Sequence, residues 1–322
     1  MPMRPRTTYS LLAVFALLCA LGAALYLRQQ APPEAARLLP ESDAIVFVNL
    51  RPIRALTHLE RTPFTQNSYK DFIDATGVLP ERDLDAVAIA LHAMPDPGGP
   101  NGPVGFTEVF EGRFDRERLS KYLAAHAAGR EEYAGRTIYA LKSEGRTVRV
   151  ALLGYEMVAA SNMPTTEQIH SILDRQRAAA SPFAGSSLLS ARYGEVPAVS
   201  KEVWAIGKLG LPFAAGGRIS AMGVELPLAA DTSFVASVGF AGALKLRVDA
   251  LAADEAEAAR TTQALNGILG LARGFAVAEP KTAGERAWKE AGDSVAIEAR
   301  KDRAVVTATI PVEAVKAIAE TK

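Results

Sequence analysis

The sequence predicts an α+β fold: two similar halves, each a largely antiparallel sheet with helices packed on one face, behind an N-terminal transmembrane helix. Three observations predict it. Residues 11–27 are an unbroken apolar run with no charge or amide. Several later segments alternate apolar and polar residues at the two-residue period of a strand and come in pairs. Each pair is followed by a helical pattern, so the order strand, hairpin, helix, hairpin, helix occurs twice.

The leader MPMRPRTTYS carries Arg4 and Arg6 and no acid, and LLAVFALLCALGAALYL follows it. As a helix at about 1.5 Å per residue that run reaches roughly 26 Å, slightly short of a hydrocarbon core of about 30 Å. Leu11, Phe15, Leu18, Leu21, Leu25 and Leu27 are its lipid-facing candidates. Tyr26 and Arg28 suit the membrane interface. A retained signal anchor, with the body outside the cytoplasm, is the favoured reading. A cleaved signal peptide competes through the small residues Ala20, Gly22 and Ala24. Lipid modification at Cys19 is disfavoured by the bulky Leu17 and Leu18 before it. The expected divisions are a cytoplasmic leader (1–10), a transmembrane signal anchor (11–27), a polar, proline-punctuated spacer (28–42) and two α+β halves (43–180 and 181–322). The bilayer is thus the expected partner of residues 11–27, and the cytoplasmic membrane the expected address.

The 322 residues are 49% hydrophobic and 22% charged, ordinary globular composition. Lysine plus arginine balances aspartate plus glutamate at 36 each, with no long like-charge run, so no footprint for nucleic acid exists. The one cysteine, Cys19, lies in the apolar run. That leaves the body without disulfides, thiolate metal ligands or a thiol nucleophile.

Within the body, Ala44–Leu50 is a continuous apolar run and reads as a buried strand. Pro52–Gly77 reads as helix in two pieces broken near Pro63. In Ala86–Ala93, Val87, Ile89 and Leu91 share one face. Ala86, Ala88 and Ala90 share the other, where small side chains would let a helix approach closely. MPDPGGPNGP (94–103) is a loop. In Phe106–Phe114, Phe106, Glu108, Phe110, Gly112 and Phe114 point one way and Thr107, Val109, Glu111 and Arg113 the other. Asp115 is the N-cap of a helix expected to end at Gly129. Strands are expected near Thr137–Leu141 and Val148–Ala159, then a helix opened by a Thr165–Gln168 capping box, with Ile169, Ile172 and Leu173 inward. The second half offers a strand at Val203–Leu209 and an irregular connection at 210–232, with room for a short strand at Ile219–Leu226. A strand pair follows at Phe234–Gly242 and Leu244–Ala250, then a helix at Asp254–Arg273. A hairpin around Lys301-Asp302-Arg303 and a last helix from Pro311 complete it. Phe110 and Leu246 are expected under the helices that follow their strands.

No catalytic, cofactor or metal residue is assigned. His58, His92, His126 and His170 have no helical metal spacing. The signatures GxSxG, SxxK, GxxxxGK[ST] and strand-led GxGxxG are absent. Ser200-Lys201 and Asp83/Asp85 read as turn residues. Trp204 reads as core, and Trp288 as a candidate contact surface.

LPESDAIVFVNLRPIR, VFEGRFDRERL, YAGRTIYAL and IPVEAVKAI resemble segments of uncharacterised bacterial membrane-anchored envelope proteins, across most of residues 38–320. The resemblance implies export and this layout, and no catalytic residues. The expected function is a membrane-tethered, non-catalytic interaction or scaffold protein with an envelope protein partner. Alternatives are a small-molecule or peptide-binding sensor domain and an envelope hydrolase.

Overall fold

Each alternating run of the sequence becomes a strand, and nearly all of them join one sheet. The computed structural model describes residues 31–57, 70–99, 102–143, 145–178, 185–208, 214–215, 218–221, 224–229, 231–240, 242–275 and 282–314, with Gly22, Gly210 and Pro280 singly. The expected anchor Leu11–Leu27 and the expected break at Pro63 lie outside them. Among the described residues no helix is long and apolar enough to cross a membrane.

The strands are β1 (Ala44–Asn49), β2 (Leu84–Ala93), β3 (Val104–Gly112), β4 (Ala127–Tyr133), β5 (Arg136–Ser143), β6 (Arg146–Leu152) and β7 (Met157–Ser161). After them come β8 (Val203–Lys208), the short β9–β11 (Ala214–Ala215, Arg218–Ala221, Val224–Ala229), β12 (Ser233–Phe240), β13 (Leu244–Leu251), β14 (Ala296–Arg300) and β15 (Arg303–Ile310). Twelve of them form one sheet in the order β14-β15-β13-β12-β8-β1-β2-β3-β7-β6-β5-β4, while β9–β11 form a separate small sheet. Every pairing is antiparallel. The α+β class and the antiparallel sheet are therefore as expected. The two sets of strands are nevertheless not separate sheets: β1 pairs with β8 from Ala44↔Gly207 to Val48↔Val203. A lone apolar strand at the head of each set has two bare edges, and these two strands satisfy each other's backbone. Gly207 makes the approach possible. Its φ is +150°, and a Cβ there would lie 2.4 Å from Ala44 Cβ.

The helices are α1 (Glu34–Leu38), α2 (Leu50–Thr57), α3 (Lys70–Thr76), α4 (Pro80–Asp83), α5 (Arg116–His126), α6 (Glu167–Arg177), α7 (Ser187–Arg192), α8 (Glu255–Phe275) and α9 (Ala283–Asp293). They do not keep to one face, which corrects the sequence expectation. β2 shows why: Ala86, Ala88 and Ala90 and the set Val87, Ile89 and Leu91 are both apolar, so both sides of the sheet need cover.

On face A, Ile45, Phe47, Ala88, Val109, Trp204, Ile206 and Val235 are 5% exposed or less. They form one cluster with Ala35, Ala36 and Leu38 of α1, Ile169, Ile172 and Leu173 of α6, and Leu189 of α7. The stretch expected as a spacer at 28–42 is thus core from Ala35 onward. Pro33 and Pro40 bound the helix former EAARL, and its alanines sit over the alanines of β2. On face B, Leu119 and Leu123 of α5 pack on Val150, Leu152 and Val158 of β6 and β7. Asp115 caps α5 as expected, accepting from Glu117 N–H and Arg118 N–H at 3.1 Å each.

Four local expectations are corrected. α5 stops at His126, and AAGREEY continues directly as β4. This strand lies at the sheet edge, where charged residues face water and no apolar alternation marks it. Val148–Ala159 is two strands. α6 begins after Thr166 with no side-chain cap, and the Thr165 hydroxyl lies near Glu167 instead. Phe110 and Leu246 are half-buried, because α5 and α8 pack further out, on β5–β6 and β14–β15.

Candidate binding surface

Strand pairing places the face B side chains of the six central strands in three rows. Across β13, β12, β8, β1, β2 and β3 the first row runs Val248, Ala236, Ala205, Val46, Ile89, Glu108. The second runs Leu246, Val238, Val203, Val48, Val87, Phe110. The third runs Ala250, Phe234, Gly207, Ala44, Leu91, Phe106. Every member is apolar except Glu108. The alternation of β2, β3, β12 and β13 produces this surface directly, since successive side chains point to opposite faces.

The cover of this surface differs from that of its reverse side. Every residue in the first two rows is half-buried and Phe106 is 36% exposed, whereas Ala44, Gly207 and Ala250 of the third row are buried; the central face A side chains of β12, β8, β1, β2 and β3 are buried. On face B α5 packs on β5 and β6, and α8 packs on β14 and β15. Glu257 and Thr261 of α8 line a crevice with Ala250. Among the described residues α2 also contacts β2, and Leu228 of β11 lines the same crevice. Half-buried apolar rows of that kind are a candidate contact surface.

Glu108 sits in the first row between Ile89 and Ala160, with Phe106 and Phe110 on its own strand. Burial raises its carboxyl above the usual range. No described residue offers it a hydrogen bond or an ion pair.

The other carboxylates considered in the sequence are satisfied. Asp83 is buried and held by Arg82 at 2.7 Å and 2.8 Å, with Leu79 N–H donating at 2.9 Å. Asp85 is held by Arg51 at 3.0 Å and by Arg54 at 3.3 Å. Although burial opposes it, these donors keep both carboxyls below the usual range. The Asp85 pairs staple the start of β2 to α2, while the Asp83 bonds fix the short α4. A second network joins the segment after α7 to the far arm. Arg247 pairs with Asp249 at 2.7 Å, and Arg303 with Glu195 at 2.9 Å and Asp249 at 3.5 Å. Ser200 is buried against Gly239, and the Lys201 ammonium lies 5.1 Å from the Tyr193 ring centroid.

The described histidines lie apart. His92 is buried on face A at the head of a polar chain, 3.1 Å from Thr107 Oγ1, itself 3.0 Å from Ser161 Oγ. Burial holds its pKa below the ordinary value, with nearby Asp43 opposing. His126 stacks on Tyr122. His170 stacks on Tyr133 at 3.7 Å and meets Glu131 Oε1 at 2.7 Å. Among the described residues no group of three His, Cys, Asp or Glu could hold a metal ion.

No protein-family model and no curated protein matches the chain. Among solved structures it is similar to TP0453. Crystal form I of that protein aligns at a TM-score of 0.46 and 11% identity, over 91% of this chain and 98% of that one. Form III gives 0.45 and 12%, over 90% and 99%, and form IV gives 0.44 and 12%, over 88% and 96%. No functional statement follows from similarity at that level.

Trp288 lies on α9 and is 44% exposed, and Leu271 on α8 is 64% exposed. The anchor candidates Leu11, Phe15, Leu18, Leu21, Leu25, Tyr26 and Leu27 are outside the described residues. Sequence reasoning missed Glu108 as a site residue. It was legible as the one charge on the phenylalanine side of β3, but the row it joins depends on pairings with distant strands.

Proposed function

We propose that the chain is a membrane-tethered envelope protein whose extracytoplasmic body holds a small apolar ligand on face B of its sheet. The observation that carries this is the contrast between faces: β12, β8, β1, β2 and β3 bury their central face A side chains, while two apolar rows on face B are only half-buried. Leu11–Leu27 supports the tether through its length and apolarity. The test uses the full chain in lipid nanodiscs with a photoreactive hydrocarbon. Adducts on Val46, Ile89 and Val203, with none on Ile45 or Val109, are expected. Adducts confined to residues 11–27 would defeat the proposal.

A second reading has its own support. Leu271 and Trp288 are large apolar side chains left exposed on α8 and α9, and they suit an envelope protein partner. A photocrosslinker at position 288 should then capture one discrete protein in cells.

We also read the chain as a duplication, divided near residue 180. Outward from β1 and β8, one arm runs β2, β3, β7, β6 and the other β12, β13, β15, β14. In both, a hairpin is followed by a helix on face B. This matching order supports the reading.

A further inference from the structure

We propose that the ligand of face B is a lipophilic cation, an apolar molecule bearing a single ammonium or amidinium group, with the Glu108 carboxylate as its counter-ion. The proposal rests on reading face B as a ligand site and names the chemistry that site selects.

Two observations carry it. The first is charge complementarity. Glu108 is the one ionisable group in three apolar rows, it lies between Phe106 and Phe110, and no described residue pairs with it. Elsewhere the buried carboxylates Asp83, on α4, and Asp249, on β13, have arginines. A carboxylate taken from water without a partner is costly, and a bound cation removes that cost. The second observation is size. Six strands at about 4.8 Å spacing and three rows two residues, or about 6.6 Å, apart give a floor of roughly 570 Å². A stable protein–protein interface takes about 800 Å² from each partner. The floor is therefore too small for a second copy of the chain and suits a small molecule.

The experiment compares two photoreactive probes of equal chain length, one ending in a primary ammonium and one in a hydroxyl. Each is applied to the full chain in nanodiscs, with adducts mapped by mass spectrometry. The expected result is that both label β1–β3 and that the ammonium probe labels about tenfold more at equal concentration. Glu108→Gln should remove that preference, and a cooperative urea transition of the variant reports separately that it is folded. Glu108→Asp should retain part of the preference. Equal labelling by the two probes in the wild type, or a preference that survives in Glu108→Gln, overturns the cation proposal while leaving the ligand face intact. Labelling of face B by neither probe overturns the ligand face and the cation proposal together.

Discussion

Glu108 and His92 sit on opposite faces of neighbouring strands and carry opposite linkages to pH. Burial raises the Glu108 carboxyl, so the folded state holds its proton more tightly than the unfolded chain does. Its contribution is complete below the unfolded value and is lost as pH rises through the folded value. Glu108→Gln, fixed in the neutral form, should therefore be more stable than the wild type at pH 7, and the gap should close by pH 4. Urea unfolding at the two pH values measures this. His92 behaves the other way. Burial lowers its pKa, so its stabilising effect is present above the unfolded value and is lost as pH falls through the folded one. The acid limb of the stability curve should flatten in His92→Gln, apart from a constant loss from the disrupted contact with Thr107. Both residues were visible in the sequence, yet neither environment was. Alternation assigns Glu108 to the Phe106 and Phe110 side of β3, but it cannot say that this side is the less covered one. That depends on where α5 comes to rest.

Among the elements, apolar periodicity made most strands and the inner face of α6 legible, because their side chains are sorted by burial. Where water lies on both sides, the signal vanished. The strand AAGREEY carries three charged residues in a row, Arg130, Glu131 and Glu132, and reads as the end of a helix. α9 does have a sequence signal, the capping box of Thr282 and Glu285, but its interior is largely polar. The face assignment of β3 has a direct test. Val109 is fully buried while Phe110 is half-buried, so Val109→Asp should cost about 3–5 kcal/mol. Phe110→Asp should cost distinctly less, although phenylalanine is the larger side chain. At the central seam, Gly207→Ala drives a methyl group into Ala44 and the Asp43 carbonyl. Overpacking of this kind should cost about 1–3 kcal/mol in chemical denaturation. It should also accelerate amide exchange in β1 and β8 before it does so in β5.

For the whole molecule, the sequence reading reached the order of elements but not their union. Hydrophobic alternation tells a strand which face to bury and says nothing about which edge it will pair with. Two lone strands, 44–49 and 203–208, are separated by more than one hundred and fifty residues, and their pairing fuses the two arms into one sheet. Neither arm should therefore be stable alone. Residues 43–180 expressed without the rest would present the bare edge of β1, and they should aggregate or fail to give a cooperative melt. Coexpression of the two fragments should rescue solubility. The predicted topology is checked separately: protease added to spheroplasts should degrade residues 28–322, and full protection would reverse the assigned orientation.

An open sheet, unlike a barrel, has to stop somewhere, and this one stops at β4 and β14. Both outermost strands are rich in charge, with Arg130, Glu131 and Glu132 on one and Glu298 and Arg300 on the other. Another molecule's strand arriving at either rim would have to bury those ionic groups beside its own. Charged rims oppose growth by strand addition, so the sheet ends at twelve strands and is not the first layer of a fibre. Replacing Glu131, Glu132 and Arg130 with threonine should leave the fold intact and convert the chain into one that assembles edge to edge at high concentration.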